Sequence, residues 1–532
     1  MTAPIVLLAE ALAPTTVDAL GPQADVRHCD GSDRARLLAA VRDADALLVR
    51  SATRVDAEVL AAAPRLKVVG RAGVGLDNVD LEAATRAGVT VVNAPASNSV
   101  TAAELACGLI ISVARHIPQA NASLKGGQWQ RSRYTGVELA DKTLGVIGAG
   151  RIGRLVAHRM RAFGMQLIAH DPYLTASQAA ETGARLVTLD ELLTTSDFIT
   201  VHLPRTAETT GLIGHDELRR VKPGVRIVNA ARGGIVDEQA LAAALIEGRV
   251  AAAGLDVFAT EPCTDSPLFA LDNVVSTPHL GASTVEAQDR AGTTVAHSVR
   301  RALAGELVPD AVNLHLGAPL AEVTRFLPLA ADLGRVFTAL AGGQPPADLD
   351  VEVHGPITRH DVTALERGVL TGMLAGADGR RVTLVNASLI ARDRIDAIRF
   401  VTSSESAAHT DQIILRGTLP DGRAIAVSGT LSGPRNIRKL TGIADYDIDL
   451  EITDRMLFLQ YKDVPGMIGT IGRILGEAGV NIAVMQVARI TEGGDAAVAL
   501  TVDSVISPGL LQTIGEVVRP AWAHFVDLTA DG

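Results

Sequence analysis

Along the first 300 residues, short apolar runs alternate with Ala-rich stretches whose apolar positions recur at helical spacing. The runs 5–9, 46–49, 67–70 and 90–93 predict strands, and 15–20, 33–40, 56–62 and 81–87 predict the helices between them. Strand–helix alternation of this kind is the pattern of a parallel, doubly wound sheet. A long, mostly apolar helix is predicted over 99–115, with Glu104 its only charge before Arg115. The alternation then restarts, with strands predicted at 143–147, 166–170, 198–201, 226–229, 252–256 and 274–277. A further long helix over 284–304 is long enough to return the chain to the first series.

Beyond about residue 315 the texture changes. A helix is predicted over 319–340, then a Gly/Pro linker over 341–347 and an alternating strand at 349–354. The stretch to about 450 mixes strands with glycine turns. From 455 a compact unit reads strand 457–461, helix 468–476, strands 480–489 and 496–502, a helix from Pro508 and a strand near Ala523. That order is βαββαβ, the ferredoxin-like arrangement. The expected class is therefore α/β, with two Rossmann-like doubly wound domains, then an α+β domain and a ferredoxin-like unit. The expected domains are 1–98 with 284–314, 99–283, 315–452 and 453–532.

Length agrees, since 532 residues at roughly 150 per domain give three to four. The net charge of −11 and the scarcity of aromatics argue against a nucleic-acid binder, which needs cations for phosphate and rings for bases. Cys29, Cys107 and Cys263 form no CxxC pair, so neither a disulfide framework nor a zinc site is expected, and a reducing, cytoplasmic compartment fits. The N-terminus reads as a first strand, not a signal peptide, and no apolar run is long enough to predict a membrane span.

One glycine run stands out by its context. Gly148-Ala149-Gly150-Arg151-Ile152-Gly153 follows the strand 143–147 and opens a helix. Gly148 permits a tight turn, Gly150 lets backbone N–H groups approach a pyrophosphate, and Gly153 lets helix and strand pack closely. The helix N-terminus adds partial positive charge. Asp171 follows the next strand, 21 residues after Gly150, where a carboxylate can hold ribose hydroxyls and repel a 2′-phosphate. NAD is the expected cofactor.

Three charged groups fall after predicted strands of the second series: Arg232, Glu261 and His279. Carboxyl ends of strands face the ligand crevice in such sheets, so these groups can converge there. A histidine suits removal of a hydroxyl proton, a carboxylate beside it fixes its tautomer, and an arginine can clamp a substrate carboxylate. Asp256, at a strand end, either tunes the cofactor pocket or caps the next turn. From the first series, Arg50, Arg54 and Arg71 sit at or after strand ends, and Gly73 and Gly75 lie in a loop whose N–H groups can bind a carboxylate. Such a cationic mouth fits a phosphorylated acid. Asn98 offers a polar contact or a helix cap.

These motifs resemble the D-2-hydroxyacid dehydrogenase family. The carrying segments are VRSATRV from Val49, VGRAGVGLDNVD from Val69, LGVIGAGRIGR from Leu144, NAARGGIVDE from Asn229, GLDVFATEP from Gly254 and STPHLGAST from Ser276. The resemblance implies NAD-dependent oxidation of 3-phosphoglycerate on the path to serine, with Arg232, Glu261 and His279 as the catalytic set. It implies Arg50, Arg71, Gly73 and Asn98 at the substrate. Along the cofactor it implies Gly148, Gly150, Arg151, Ile152, Gly153, Asp171, Ala230, Arg232, Asp256, His279 and Gly281. The last unit resembles an ACT domain through Tyr461-Lys462-Asp463-Val464-Pro465-Gly466-Met467-Ile468-Gly469 and Val480-Asn481-Ile482. That resemblance implies serine as effector at Tyr461, Asp463 and Asn481, and self-association into at least a dimer, or a homotetramer. The segment 315–452 resembles the intervening domain of long family members, where the run 435–439 is either an anion site or a solvated turn. Alternatives are a relative acting on glycerate or a bulkier hydroxy acid, and an NAD-sensing corepressor. Formate oxidation fits less well, because the group paired with His279 is an acid. No metal is expected.

Overall fold

The computed structural model describes residues 3–314, 321–376, 381–406, 408–491 and 493–529. Its first sheet is formed by β1 (Ile5–Leu8), β2 (Asp25–His28), β3 (Ala46–Val49), β4 (Val68–Arg71) and β5 (Thr90–Val92), in the order β2-β1-β3-β4-β5. All pairings are parallel. The strand order reverses between β1 and β3, which opens a crevice beyond their carboxyl ends. β2 was not expected from the sequence. It reads Asp-Val-Arg-His and is an edge strand, buried on neither face.

The second sheet contains β6 (Thr143–Ile147), β7 (Gln166–His170), β8 (Arg185–Leu186), β9 (Phe198–Val201), β10 (Val225–Asn229), β11 (Val250–Leu255) and β12 (Val274–Ser276). It is parallel throughout, in the order β12-β11-β10-β9-β6-β7-β8, and its switch point lies between β6 and β9. Its strands are near-continuous Val/Ile/Leu runs because helices cover both faces. The helix Ser99–Arg115 packs on β10 and β11 through Ala103, Ala106, Leu109, Ile110 and Val113. The helix Val285–Leu303 is capped by Thr284, whose hydroxyl accepts from Ala287 N, and it packs back on β4 through Val295 and Val299.

The third sheet joins β13 (Asp348–His354), β14 (Ala397–Ser403), β15 (Gln412–Thr418), β16 (Ala424–Ser432), β17 (Ile437–Ile443) and β18 (Tyr446–Glu451) in the order β14-β13-β15-β16-β17-β18. Instead of one helix over 319–340, there are two: Ala321–Thr324 and Leu327–Leu340, the second with Pro328 in its first turn. Residues 319 and 320 lie outside the described residues. A proline lacks the N–H that a continuous helix would need at that point. In the run 435–439, Arg438 pairs with buried Asp332 and Lys439 with Asp449, so two of its cations are already engaged.

The last sheet holds β19 (Arg455–Lys462), β20 (Ile482–Arg489), β21 (Asp495–Val502) and β22 (Trp522–Asp527), in the order β20-β21-β19-β22. With the helices Met467–Glu477 and Pro508–Val518 this is the expected βαββαβ unit. Side chains alternate across β19 with the strand period of two. Leu457, Leu459 and Tyr461 enter the core under the two helices, whereas Met456 and Phe458 join the core of the third sheet around Leu329, Leu333 and Phe337. Among the described residues no single helix is long and apolar enough to cross a membrane.

Candidate active site

The loop after β6 shows what each glycine does. Gly148 has φ 87°, and a Cβ there would meet His202 O at 2.7 Å. A Cβ on Gly153 would meet Gly148 O at 2.1 Å, so only glycine lets the helix come this close. At Gly150, by contrast, a Cβ would meet nothing within 4 Å. Gly150 also caps the helix Arg151–Ala162 with no side-chain hydrogen bond, so the first-turn N–H groups remain free for an anion. The Asp171 carboxylate lies on this loop, accepting from Ala149 N at 3.0 Å and from Tyr173 N at 3.0 Å. An open glycine, an uncapped helix start and an adjacent carboxylate fit a dinucleotide. Ile152 and Ala230 line the core beneath the loop, and Arg151 reaches across to Pro95 O at 2.9 Å.

His279 stands on the turn after β12. Its Nδ1 lies 2.5 Å from Glu261 Oε2, and Glu261 Oε1 accepts from Phe258 N at 2.9 Å. A carboxylate can only accept, so Nδ1 carries the proton and Nε2 presents a lone pair. The side chain is 46% exposed, so Nε2 is open to a ligand. Asp256 decides how this turn is held. Its carboxylate is fully buried and accepts from Thr277 Oγ1 at 2.6 Å, Leu280 N at 2.7 Å and Gly281 N at 2.8 Å. Of its two readings, the cap on the turn is the one that the geometry supplies with partners. Burial holds its acid above the ordinary aspartate value, against those three bonds and the charge of His279.

The cations of the first sheet form a second group, reached from the other sheet by Arg232. Arg71 is held below the ordinary arginine value, by burial first and then by Arg232, with Asp77 and Glu10 opposing and Arg50 adding. Its Nε is buried with no hydrogen-bond partner among the described residues. Arg232 approaches from β10, with Nε 3.7 Å from Asp77. The loop 73–75 fits between them. A Cβ on Gly73 would sit 1.8 Å from Arg71 Nη1, and one on Gly75 would sit 2.6 Å from Arg232 Nη2. Arg71 is thus close enough to feel the charges of both Arg232 and Arg50, whereas Arg54 is 81% exposed and faces Asp56. Asn98 begins the helix Ser99–Arg115 without capping it, and among the described residues its amide makes no hydrogen bond.

Two residues of this mouth escaped the sequence reading. Glu10, directly after β1, accepts from Arg50 N at 2.8 Å, Ala52 N at 3.3 Å and Thr53 N at 2.9 Å. Asn78 donates to Arg50 O at 2.7 Å and Thr53 O at 2.6 Å. Together they fix the backbone that carries Arg50. The strand-end rule that found Arg50 and His279 applies to Glu10 as well.

The effector residues come out differently. Tyr461 is 2% exposed and its ring packs in the core with Ile471 and Ile474, so its side chain is not a ligand contact; the parity of β19 places it inward. Asp463 pairs with Arg489 at 3.3 Å and Asn481 donates to Asp503 at 2.7 Å. Gly466, φ 93°, starts the helix Met467–Glu477 with no side-chain cap.

Three family models match the chain. "D-isomer specific 2-hydroxyacid dehydrogenase, NAD binding domain" matches residues 107–281. "D-3-phosphoglycerate dehydrogenase intervening domain" matches 322–441, and "ACT domain" matches 455–519. A D-3-phosphoglycerate dehydrogenase of Mycobacterium leprae is 53% identical over 99% of this chain and 100% of the relative. One of Methanocaldococcus jannaschii is 39% identical over 96% and 97%. Among solved structures, a Thermus thermophilus protein is 33% identical with a TM-score of 0.54, covering 58% of this chain and 99% of its own. A D-lactate dehydrogenase of Aquifex aeolicus, complexed with NAD and lactic acid, is 29% identical with a TM-score of 0.51, covering 57% and 96%.

Proposed function

Because the chain belongs to the D-3-phosphoglycerate dehydrogenase family, we propose that its crevice oxidises 3-phospho-D-glycerate to 3-phosphohydroxypyruvate. Two observations support this reading: the His279–Glu261 pair, and the closeness of Arg232 and Arg50 to buried Arg71. NAD, when bound, supplies the hydride acceptor. Gly148, Gly150, Arg151, Ile152, Gly153, Asp171, Ala230, Asp256 and Gly281 form or support its bed. His279 Nε2 accepts the proton of the C2 hydroxyl as C2–H leaves as hydride, and Glu261 steadies the resulting imidazolium. Arg232 holds the substrate carboxylate by two parallel bonds. Arg50 and Arg71 hold the phosphate, with the N–H groups of Gly73 and Gly75 and the Asn98 amide completing the contact.

On this reading residues 1–98 and 284–314 form the substrate domain and 99–283 the NAD domain. Residues 315–452 intervene and 453–532 form the ACT domain. The ACT domain takes serine between copies of the chain, at Asp463, Asn481 and the helix start at Gly466, and inhibits turnover. Exposed Ile117, Leu124 and Trp129 support self-association, as a dimer or homotetramer, and the enzyme works in the cytoplasm. An NADH-linked assay over phosphorylated and plain 2-hydroxy acids tests the substrate. Arg71→Ala is expected to raise KM for 3-phosphoglycerate by about tenfold or more, with little effect on unphosphorylated acids. Equal effects on both would refute the phosphate assignment.

A further inference from the structure

A pocket of about 240 Å³ lies away from the catalytic crevice, where the third sheet meets β22 of the ACT unit. Its apolar lining is Leu340 at the end of the helix Leu327–Leu340, Ile425 on β16, Ile443 on β17 and Trp522 on β22. Arg423 and His524 supply the polar groups. Trp522 and His524 are two residues apart on one strand and so share a face, with ring centroids 5.8 Å apart. Burial first, then the charge of Arg423, holds the His524 ring below the ordinary histidine value, with the Ala339 backbone opposing.

Arg423 is the permanently charged side chain of the lining. Its Nε donates to Asp421 Oδ2 at 2.8 Å, and Asp421 Oδ1 in turn accepts from Arg423 N at 3.0 Å. The guanidinium is thereby anchored at one edge. The side chain is 54% exposed, and its two Nη groups donate no hydrogen bond among the described residues. A planar fork with a free edge matches a carboxylate. The volume lies below the roughly 300–1,000 Å³ of drug-sized sites, which limits the occupant to a metabolite-sized molecule.

We propose that this seam binds a small aliphatic carboxylate, with its carboxylate on the Nη edge of Arg423 and its tail against Leu340, Ile425, Ile443 and Trp522. The site is separate from the catalytic crevice and from the turn at Asp463. Because it is shared between the intervening sheet and the ACT sheet, an occupant would couple the two.

The chain has two tryptophans, Trp129 and Trp522, so Trp129→Phe in the full-length protein leaves Trp522 as the sole indole reporter. Titration of that variant with 4-methylpentanoate is expected to give a saturable change in emission. Adding Arg423→Gln is expected to weaken the response about tenfold or more, and Arg423→Lys to restore part of it. Unchanged thermal melting of both variants shows that the fold is intact. L-leucine binding more tightly than 4-methylpentanoate, still through Arg423, would identify the occupant as an amino acid. The proposal is overturned by no saturable response to either compound, by a response that Arg423→Gln leaves unchanged, or by 3-methylbutylamine binding as well as the carboxylate.

Discussion

His279 has φ 55°, a left-handed conformation that side chains other than glycine enter at a cost of about 1–3 kcal/mol. The turn holds it there by taking His279 N onto Asp256 O at 2.8 Å, and the result is an imidazole aimed by Glu261 on one side and free on the other. Glu261→Gln keeps the size of the side chain but removes the acceptor-only carboxylate that fixes the tautomer. It is expected to lower kcat by about 10²-fold or more, while NADH binding, followed by fluorescence transfer, stays nearly unchanged. A loss of nucleotide binding would instead make the pair a scaffold. The pairing of His279 with Glu261 was legible because both follow strands of one sheet, whose strand ends face the crevice. Glu10 was not, since a lone carboxylate near the N-terminus belongs to no motif, although the same rule covers it. Tyr461 was misplaced although the signal was present: it shares parity with Leu457 and Leu459, and a strand period of two sends all three the same way.

At the scale of elements, the buried strands read directly from their apolar runs, and β3 and β6 match the expected bounds residue for residue. β2 and β8 did not, because one is polar and unburied and the other is two residues long. Neither leaves a hydrophobic pattern to read. The turn after β12 is where an element's geometry becomes chemistry. Asp256→Asn replaces one accepting oxygen with an NH2 that must face a backbone N–H or the Thr277 hydroxyl. The expected cost is about 1–3 kcal/mol of stability, measured by denaturant unfolding. A fall in kcat larger than the change in KM for either substrate would accompany it, because the loosened turn carries His279. A stability loss with unaltered kcat would show that the cap and the catalytic geometry are independent.

In the whole molecule, Arg232–Asp77 and Arg151–Pro95 link the loops of the two parallel sheets, and the C-terminal half is joined to the first sheet by specific contacts. Arg381 donates to Leu66 O at 2.9 Å and Thr383 to Gly88 O at 3.1 Å, so the intervening domain grips the first sheet near the starts of β4 and β5. A signal from the ACT turn would have that route to follow. Asp463→Ala is expected to raise the serine concentration for half-inhibition by about tenfold or more while activity without serine persists, as read in the NADH-linked assay. A wild-type enzyme indifferent to serine would end the regulatory reading. The four-part order was legible because the texture of the chain changes near residue 315, but the sharing of one core by the last two parts was not. Met456, Phe458, Ala499 and Val526 of the ACT sheet close over Leu329, Leu333 and Phe337. The C-terminal unit is therefore a lid on its neighbour's interior as well as a module in its own right. A protein truncated just before Arg455 would bare that oily surface and invite aggregation, so a soluble version freed of regulation has to lose both units, with the cut falling before Ala321.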